Sequence, residues 1–389
     1  MTKNLDEVVI LAAVRTAIGT YKGSLKDIRA DQLGSIVIKE VINRSSIDKE
    51  EIDEVIMGQV LTAGMGQNPA RQASINAGLS KSIPAHIVNQ VCGSGLRSVI
   101  SGYQSLLLAE AKYVICGGQE NMSLAPHVLN YRDKKKLSEE KLIDSMICDG
   151  LIDAFNNYHM GVTAENVAEK WNITRDEQDN FALNSQSKVQ DAIKKKKFED
   201  EIIKNENYKS FKDEHPRANI TFQDLSKLKP VFKKDGTVTP GNSSGVNDGA
   251  AGVLIMKRNE SEKRDLEPLG KIVSWASCGV DPALMGSGPI PASKKALEIA
   301  NWKINDLDLI ESNEAFAAQS LAVIKELKIP ENIVNVNGGA IALGHPIGAS
   351  GCRIVVTLLH EMKRRSSKKG LATLCIGGGM GIAMCLERD

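Results

Sequence analysis

The chain lacks an excess of charge of either sign: 49 Lys plus Arg against 48 Asp plus Glu leave a formal net charge of +1 over 389 residues. That balance removes the electrostatic footprint that nucleic acid or an anionic membrane surface requires. The chain also lacks any run reaching the ~18–20 apolar residues of a membrane span. The apolar run VVILAAV near the N-terminus is too short and too β-branched for a signal sequence and reads as a first buried strand. Seven Cys are scattered without paired framework spacing, no metal-ligand cluster is visible, and the final residues CLERD are not a peroxisomal address. The expectation is a cytoplasmic protein without a metal, whose partners are small molecules and copies of itself.

What the chain has is three short Gly-framed segments, each presenting a reactive side chain: VCGSG around Cys92, GGAIALGHPIGASG around His345, and LCIGGGMG around Cys375. Nucleophilic acyl chemistry needs a thiol, a base and backbone N–H groups free to hold an oxyanion, and small residues let those groups approach a substrate closely. The chain reads as an enzyme. At 42.1 kDa it is long enough for two or three domains.

An internal repeat organises it. VIKEVINRSSIDKEEIDEVIMGQV reads as helix, turn, short capped segment and buried strand, and KKALEIANWKINDLDLIESNEAFA repeats that order. HIVNQVCGSG through VICGGQE is answered by NIVNVNGGAIALGHPIGASG through LCIGGGMG. Alternating strands and helices predict an α/β fold of two βαβ halves, each with a mostly parallel buried sheet. In the second half the strand GIAMCLE follows the glycines at once, whereas the first half waits from GGQE until AGVLIMKR. Residues 119–245 therefore read as an inserted lid domain, between an N-terminal half (1–118 plus 246–268) and a C-terminal half (269–389). Within the insert, TRDEQDNFALNSQSKVQDAI has helical spacing, with Thr174 as N-cap candidate and Glu177 three residues on. The runs Lys134 to Lys136 and Lys194 to Lys197 mark its least regular composition.

Cys92 sits where a strand gives way to a helix, so the helix dipole would favour its thiolate. Read alone it is also a small Cys packing a turn. His345 lies in a Gly-rich loop at the carboxyl end of a strand, where open α/β sheets bind ligands. Cys375 closes a strand and precedes Gly377, Gly378 and Gly379, an oxyanion site or simply a glycine-rich turn. Asn313 opens a helix, either as its cap or to orient a water. His159 means little alone; Thr163 is the candidate cap of the helix after it.

Taken together, RTAIG, GQNPARQA, VNQVCGSG, GGQENMS, YHMGVTAENVAEK, KKDGTVTPGNSSGVNDGAA, NEAFAAQ, NVNGGAIALGHPIGASG and CIGGGMG resemble the thiolase family over essentially the whole length. The resemblance implies the thiolase fold, duplicated βαβ halves forming a layered α-β-α-β-α core with an inserted loop domain. It implies that Cys92 carries the acyl group, His345 activates it, Asn313 positions a water in an oxyanion site, Cys375 removes or returns the α-proton, and Gly377 with Cys92 supplies backbone donors. A Claisen condensation of two thioesters needs one sulfur as carrier and another group as base, which two thiols in different environments supply.

The resemblance also implies coenzyme A contacts at His159, Met160, Arg217, Ser244, Met285 and Phe316. Met160 and Met285 are equally flexible core fillers. The implied activity is acetyl-CoA C-acetyltransferase, with acetyl-CoA, acetoacetyl-CoA and CoA as substrates and no permanently bound cofactor. A broad-range 3-ketoacyl-CoA thiolase and a non-catalytic acyl-CoA or lipid-binding relative stand beside it. A homodimer is expected, or a homotetramer, although three consecutive Lys from Lys134 would repel their mates at a symmetry axis.

Overall fold

The computed structural model describes residues 6–132, 141–204 and 211–389. The basic run Lys134–Lys136 lies outside them. Among the described residues one mixed sheet has ten strands, the two-residue Gly19–Thr20 pairing at its side and nine running along its path: β1 (Val8–Arg15), β2 (Glu54–Gly58), β3 (Ala85–Val88), β4 (Tyr113–Asn121), β5 (Asn247–Lys257), β6 (Gly270–Gly279), β7 (Leu309–Ser312), β8 (Lys369–Ile376) and β9 (Met380–Glu387). Their order is β7-β8-β9-β6-β1-β5-β4-β2-β3. Among the described strands, the ladder of one half meets that of the other where Val9 and Ile10 pair with Lys271 and Gly270.

The expected mostly parallel sheets are corrected by the pairing. Parallel neighbours are β2 with β3, β2 with β4, and β7 with β8. The strands that close each half run antiparallel: β9 against β8 and β6, and β5 against β4 and β1. Between β8 and β9 the reason is local. The chain reverses in a tight turn through Gly378 and Gly379, and a direct reversal gives an antiparallel pair where a parallel one needs a crossover.

Helices supply three layers. α1 (Ala30–Ser45) covers the outer face of the first half, where Leu33, Val37, Ile38 and Val41 pack on β1, β2, β4 and β5. α2 (Ser94–Leu107) lies with the last helix, α7 (Ile347–Arg365), between the two halves, and residues of both helices share one apolar cluster with strands of both halves. α5 (Pro289–Ala300) and α6 (Ala317–Leu327) cover the outer face of the second half. The predicted repeat is visible in α1, a 3₁₀ turn at Lys49–Glu51 and β2, matched by α5, a 3₁₀ turn at Ile304–Asp306 and β7. The central helices approach through glycine: a Cβ on Gly95 would lie 2.7 Å from Cys352 N, and one on Gly351 would strike Leu96 N. Their N-terminal turns, which follow Cys92 and His345, thus meet.

Between β4 and β5 the chain leaves the sheet and forms α3 (Met160–Lys170) and α4 (Arg175–Lys194). α4 begins as predicted, with Thr174 and Glu177 in a reciprocal capping box. The insert is fastened to β1 by the buried guanidinium of Arg15, which donates to Glu201 at 2.6 Å and to both oxygens of Asp213 at 2.7 and 2.9 Å. Removing one partner of a buried pair leaves an uncompensated charge, costing about 3–5 kcal/mol.

Two local readings differ from the structure. The α3 cap is His159, whose Nδ1 accepts the Gly161 N–H at 3.0 Å, while Thr163 is buried inside the helix and donates to Met160 O. The segment NIVNVN is not a regular strand, having a 3₁₀ turn at Glu331–Ile333 and a single bridge from Val334 to Ile310. The Asn335 side chain replaces ladder bonds there, accepting from Ser312 N and donating to Ser312 O, both at 2.8 Å.

Candidate active site

Cys92 stands on a turn that the preceding residue enters with difficulty. Val91 has φ of 45°, a conformation a β-branched side chain adopts only when its surroundings impose it. Here Ser94 imposes it, its Oγ accepting from Gln90 N at 2.9 Å and donating to Val91 O at 2.6 Å. The result delivers Cys92 to the start of α2. Burial pushes its thiol up to about 11, and the N–H groups of Gly377 and of Cys92 itself, both directed at the sulfur, pull it only partly back. The N–H groups at the helix end do favour the thiolate, but burial outweighs them and the resting group is a thiol.

His345 arrives on the opposite turn. Gly344 before it has φ of 104°, and a Cβ there would strike Asn247. Asn247 Oδ1 accepts the His345 N–H at 2.9 Å. Burial first, then the nearby Arg353, lowers the imidazole to about 3, so the ring is neutral. Its Nδ1 is 2.5 Å from Ser350 Oγ, and its Nε2 is buried with no hydrogen-bond partner among the described residues.

Cys375 is fully buried near the end of β8, and burial, reinforced by Cys92, raises its thiol. Asn313 follows β7 and is also fully buried, with neither amide atom hydrogen-bonded among the described residues. It does not cap α6, whose N-cap is Phe316 without a side-chain cap bond. A buried amide with both atoms unpaired is the environment that holds an ordered water. Beside it Glu314 accepts from Ser185 Oγ and Asn335 Nδ2 at 2.7 and 2.8 Å, fixing this end of β7 to α4.

Cys92, His345, Cys375 and Gly377 line one cavity of about 300 Å³, with His159, Met160, Arg217, Ser244, Met285 and Phe316 on its walls. Asn313 is absent from the lining. His159 stacks on Phe232 at 4.6 Å between centroids, and Phe232 meets Phe316 edge-on at 6.4 Å. Ser244 is fixed by its N–H to Ala315 O at 2.9 Å, and exposed Arg217 by its N–H to Gln186 Oε1 at 2.8 Å. Sequence reasoning missed His215 and Phe232 on the lining. His215 stands two residues before Arg217 in the sequence; Phe232 carried no local signal. A larger surface groove of about 880 Å³, beside Glu40, Arg44, His360 and Lys363, holds none of the reactive residues. Among the described residues, no group of three or more His, Cys, Asp or Glu could hold a metal ion, and no helix is long and apolar enough to cross a membrane.

Known proteins resemble this chain in sequence and in fold. Residues 8–259 match the family model of the thiolase N-terminal domain and residues 266–388 that of the thiolase C-terminal domain. The chain is 56% identical to the acetyl-CoA acetyltransferase of Paracoccus denitrificans, across 99% of this chain and 100% of that protein. It is 52% identical to the cytosolic acetyl-CoA acetyltransferase of Rattus norvegicus, covering 100% of both. The crystal structure of human mitochondrial 3-ketoacyl-CoA thiolase in complex with CoA superposes with a TM-score of 0.96 at 43% identity, covering 99% of this chain and 98% of that one. With both halves matched in order and relatives more than half identical from end to end, this chain belongs to the thiolase family.

Proposed function

We propose that the protein is an acetyl-CoA C-acetyltransferase, joining two acetyl-CoA molecules into acetoacetyl-CoA and CoA, reversibly, through an acetyl-Cys92 intermediate. The observation that carries the reading is the meeting of two thiols and a neutral imidazole on one cavity walled by Met160, Met285 and Phe316. The names of relatives above half identity agree with it.

In the first half-reaction His345 Nε2 takes the Cys92 proton as sulfur attacks the thioester carbonyl. The N–H groups of Cys92 and Gly377 hold the resulting oxyanion. The intermediate collapses by breaking the bond to CoA sulfur, which leaves with the proton from His345. In the second, Cys375 passes its proton to His345 Nε2, and the thiolate so formed removes an α-proton from another acetyl-CoA. A thiol raised by burial gives a more basic thiolate, suited to so weak an acid. The enolate oxygen is held by His345 and by a water on Asn313, and its carbon attacks acetyl-Cys92. As that C–S bond breaks, the leaving Cys92 sulfur takes the proton from His345 Nε2, restoring both thiols and the neutral ring. His159, Arg217 and Ser244 hold the CoA arm.

The division into 1–118 plus 246–268, 119–245 and 269–389 is likewise our proposal, supported by the direct pairing of β4 with β5 across the intervening segment. A homodimer or homotetramer in the cytoplasm completes the reading, the address resting on the rat relative's name.

Incubation with acetyl-CoA, acid quench and peptide mass spectrometry test it. Acetyl on the peptide containing Cys92, and none in C92S, is expected; an active enzyme acetylated elsewhere refutes the assignment.

A further inference from the structure

Ser350 is one turn into α7, five residues after His345 and 1% exposed. Its Oγ is 2.5 Å from His345 Nδ1 and 2.9 Å from Pro346 O. A carbonyl oxygen only accepts, and a serine hydroxyl has one proton to give. That proton goes to Pro346 O, so toward the ring Ser350 offers a lone pair. Nδ1 must then carry the ring proton, and Nε2 is left with its own lone pair. The ring's other surroundings agree: Nε2 is buried with no partner among the described residues, and the ring faces the cavity shared with both thiols.

We propose that Ser350 is a positioning residue that locks His345 in the Nδ1–H tautomer, reserving Nε2 to receive the Cys92 proton. A hydroxyl bonded to the carbonyl four residues back is a common habit inside helices. Here that habit has a consequence beyond the helix, because it turns the free lone pair of the oxygen toward the imidazole. The wrong tautomer would point an N–H at the thiol and leave no acceptor for its proton, as in other triads where the third group orients the base. The charged groups around this turn are Arg353 on α7 and Glu120, whose carboxylate accepts the Gly348 N–H at 2.9 Å. Neither supplies Nδ1 with an acceptor among the described hydrogen bonds.

The inference rests on His345 as the base of the proposed reaction, and its test separates the two. The chain has six His, so ¹⁵N-histidine labelling with H345N as the assignment control isolates this ring. In the wild-type enzyme the His345 nitrogens are expected to report a proton on Nδ1. In S350A the population shifts toward Nε2–H and acetylation of Cys92 slows on the order of tenfold to a hundredfold, while KM for acetyl-CoA changes little. S350T, which keeps the hydroxyl, restores most of the rate. A wild-type ring protonated on Nε2 overturns the proposal, as does S350A acylating at the wild-type rate. Should S350A not fold, the wild-type spectrum decides alone. Failure of the wild-type enzyme to acylate Cys92 at all refutes the proposed function, whatever the tautomer.

Discussion

The carboxylate of Glu120, at the end of β4, accepts the backbone N–H of Gly348, in the first turn of α7, at 2.9 Å. The same carboxylate takes Val60 N at 3.0 Å and Leu61 N at 3.2 Å. One fully buried side chain on β4 therefore holds the turn that carries His345 in the second half. In E120A three buried N–H groups lose their acceptor, each costing about 1–3 kcal/mol if left unpaired. Urea denaturation is expected to show a midpoint well below that of the wild type with the slope unchanged. An unchanged midpoint would mean that the turn is held by other contacts.

The Cys92 thiol, raised by burial to about 11, sets a pH prediction. Below that value the thiolate fraction rises about tenfold per pH unit. The rate of iodoacetamide alkylation at Cys92 is expected to climb with near-unit slope from pH 7 to 10. A plateau already reached at pH 7 would instead indicate a thiolate or ion-paired resting state.

His345 gives a stability prediction. Its folded pKa, about 3, lies below the ordinary 6.5, so the unfolded state binds more protons between those values. By linkage its contribution is intact above about pH 6.5 and is lost as pH falls toward 3. The acid-unfolding midpoint of H345N is expected to lie at lower pH than that of the wild type. An unmoved midpoint contradicts the neutral, buried ring.

Much of this was legible in the sequence, for a physical reason. The repeat of helix, 3₁₀ turn and strand is a local pattern, and so is the capping box of Thr174 with Glu177; both stand in the structure. The reactive residues were legible because close approach and left-handed turns demand glycine, and glycine beside Cys or His is conspicuous. What could not be read depends on partners distant in the chain. Asn335 replaces a strand ladder by bonding Ser312, 23 residues away. Phe232 becomes a wall only by stacking on His159. The Cys92 thiol is raised because burial by residues distant in the chain outweighs the helix end that its own sequence announces.

Cys375 is assigned only the second half-reaction. C375A is expected to form acetyl-Cys92 from acetyl-CoA at close to the wild-type rate, while condensation falls by several orders of magnitude, since no other thiol lines the cavity besides Cys92. Mass spectrometry of the acyl-enzyme beside a coupled condensation assay checks both. Intact condensation would remove Cys375 from the mechanism.

The central claim is a small acyl pocket walled by Met160, Met285 and Phe316 beside Cys92. The most direct measurement is kcat/KM for CoA-dependent cleavage of acetoacetyl-CoA against 3-ketoacyl-CoA substrates of increasing chain length, with C92S as the control. The account predicts that acetoacetyl-CoA is cleaved best, that rates fall steeply with each added pair of carbons, and that C92S is inactive. Comparable rates on long chains, or no cleavage of any substrate, would contradict it.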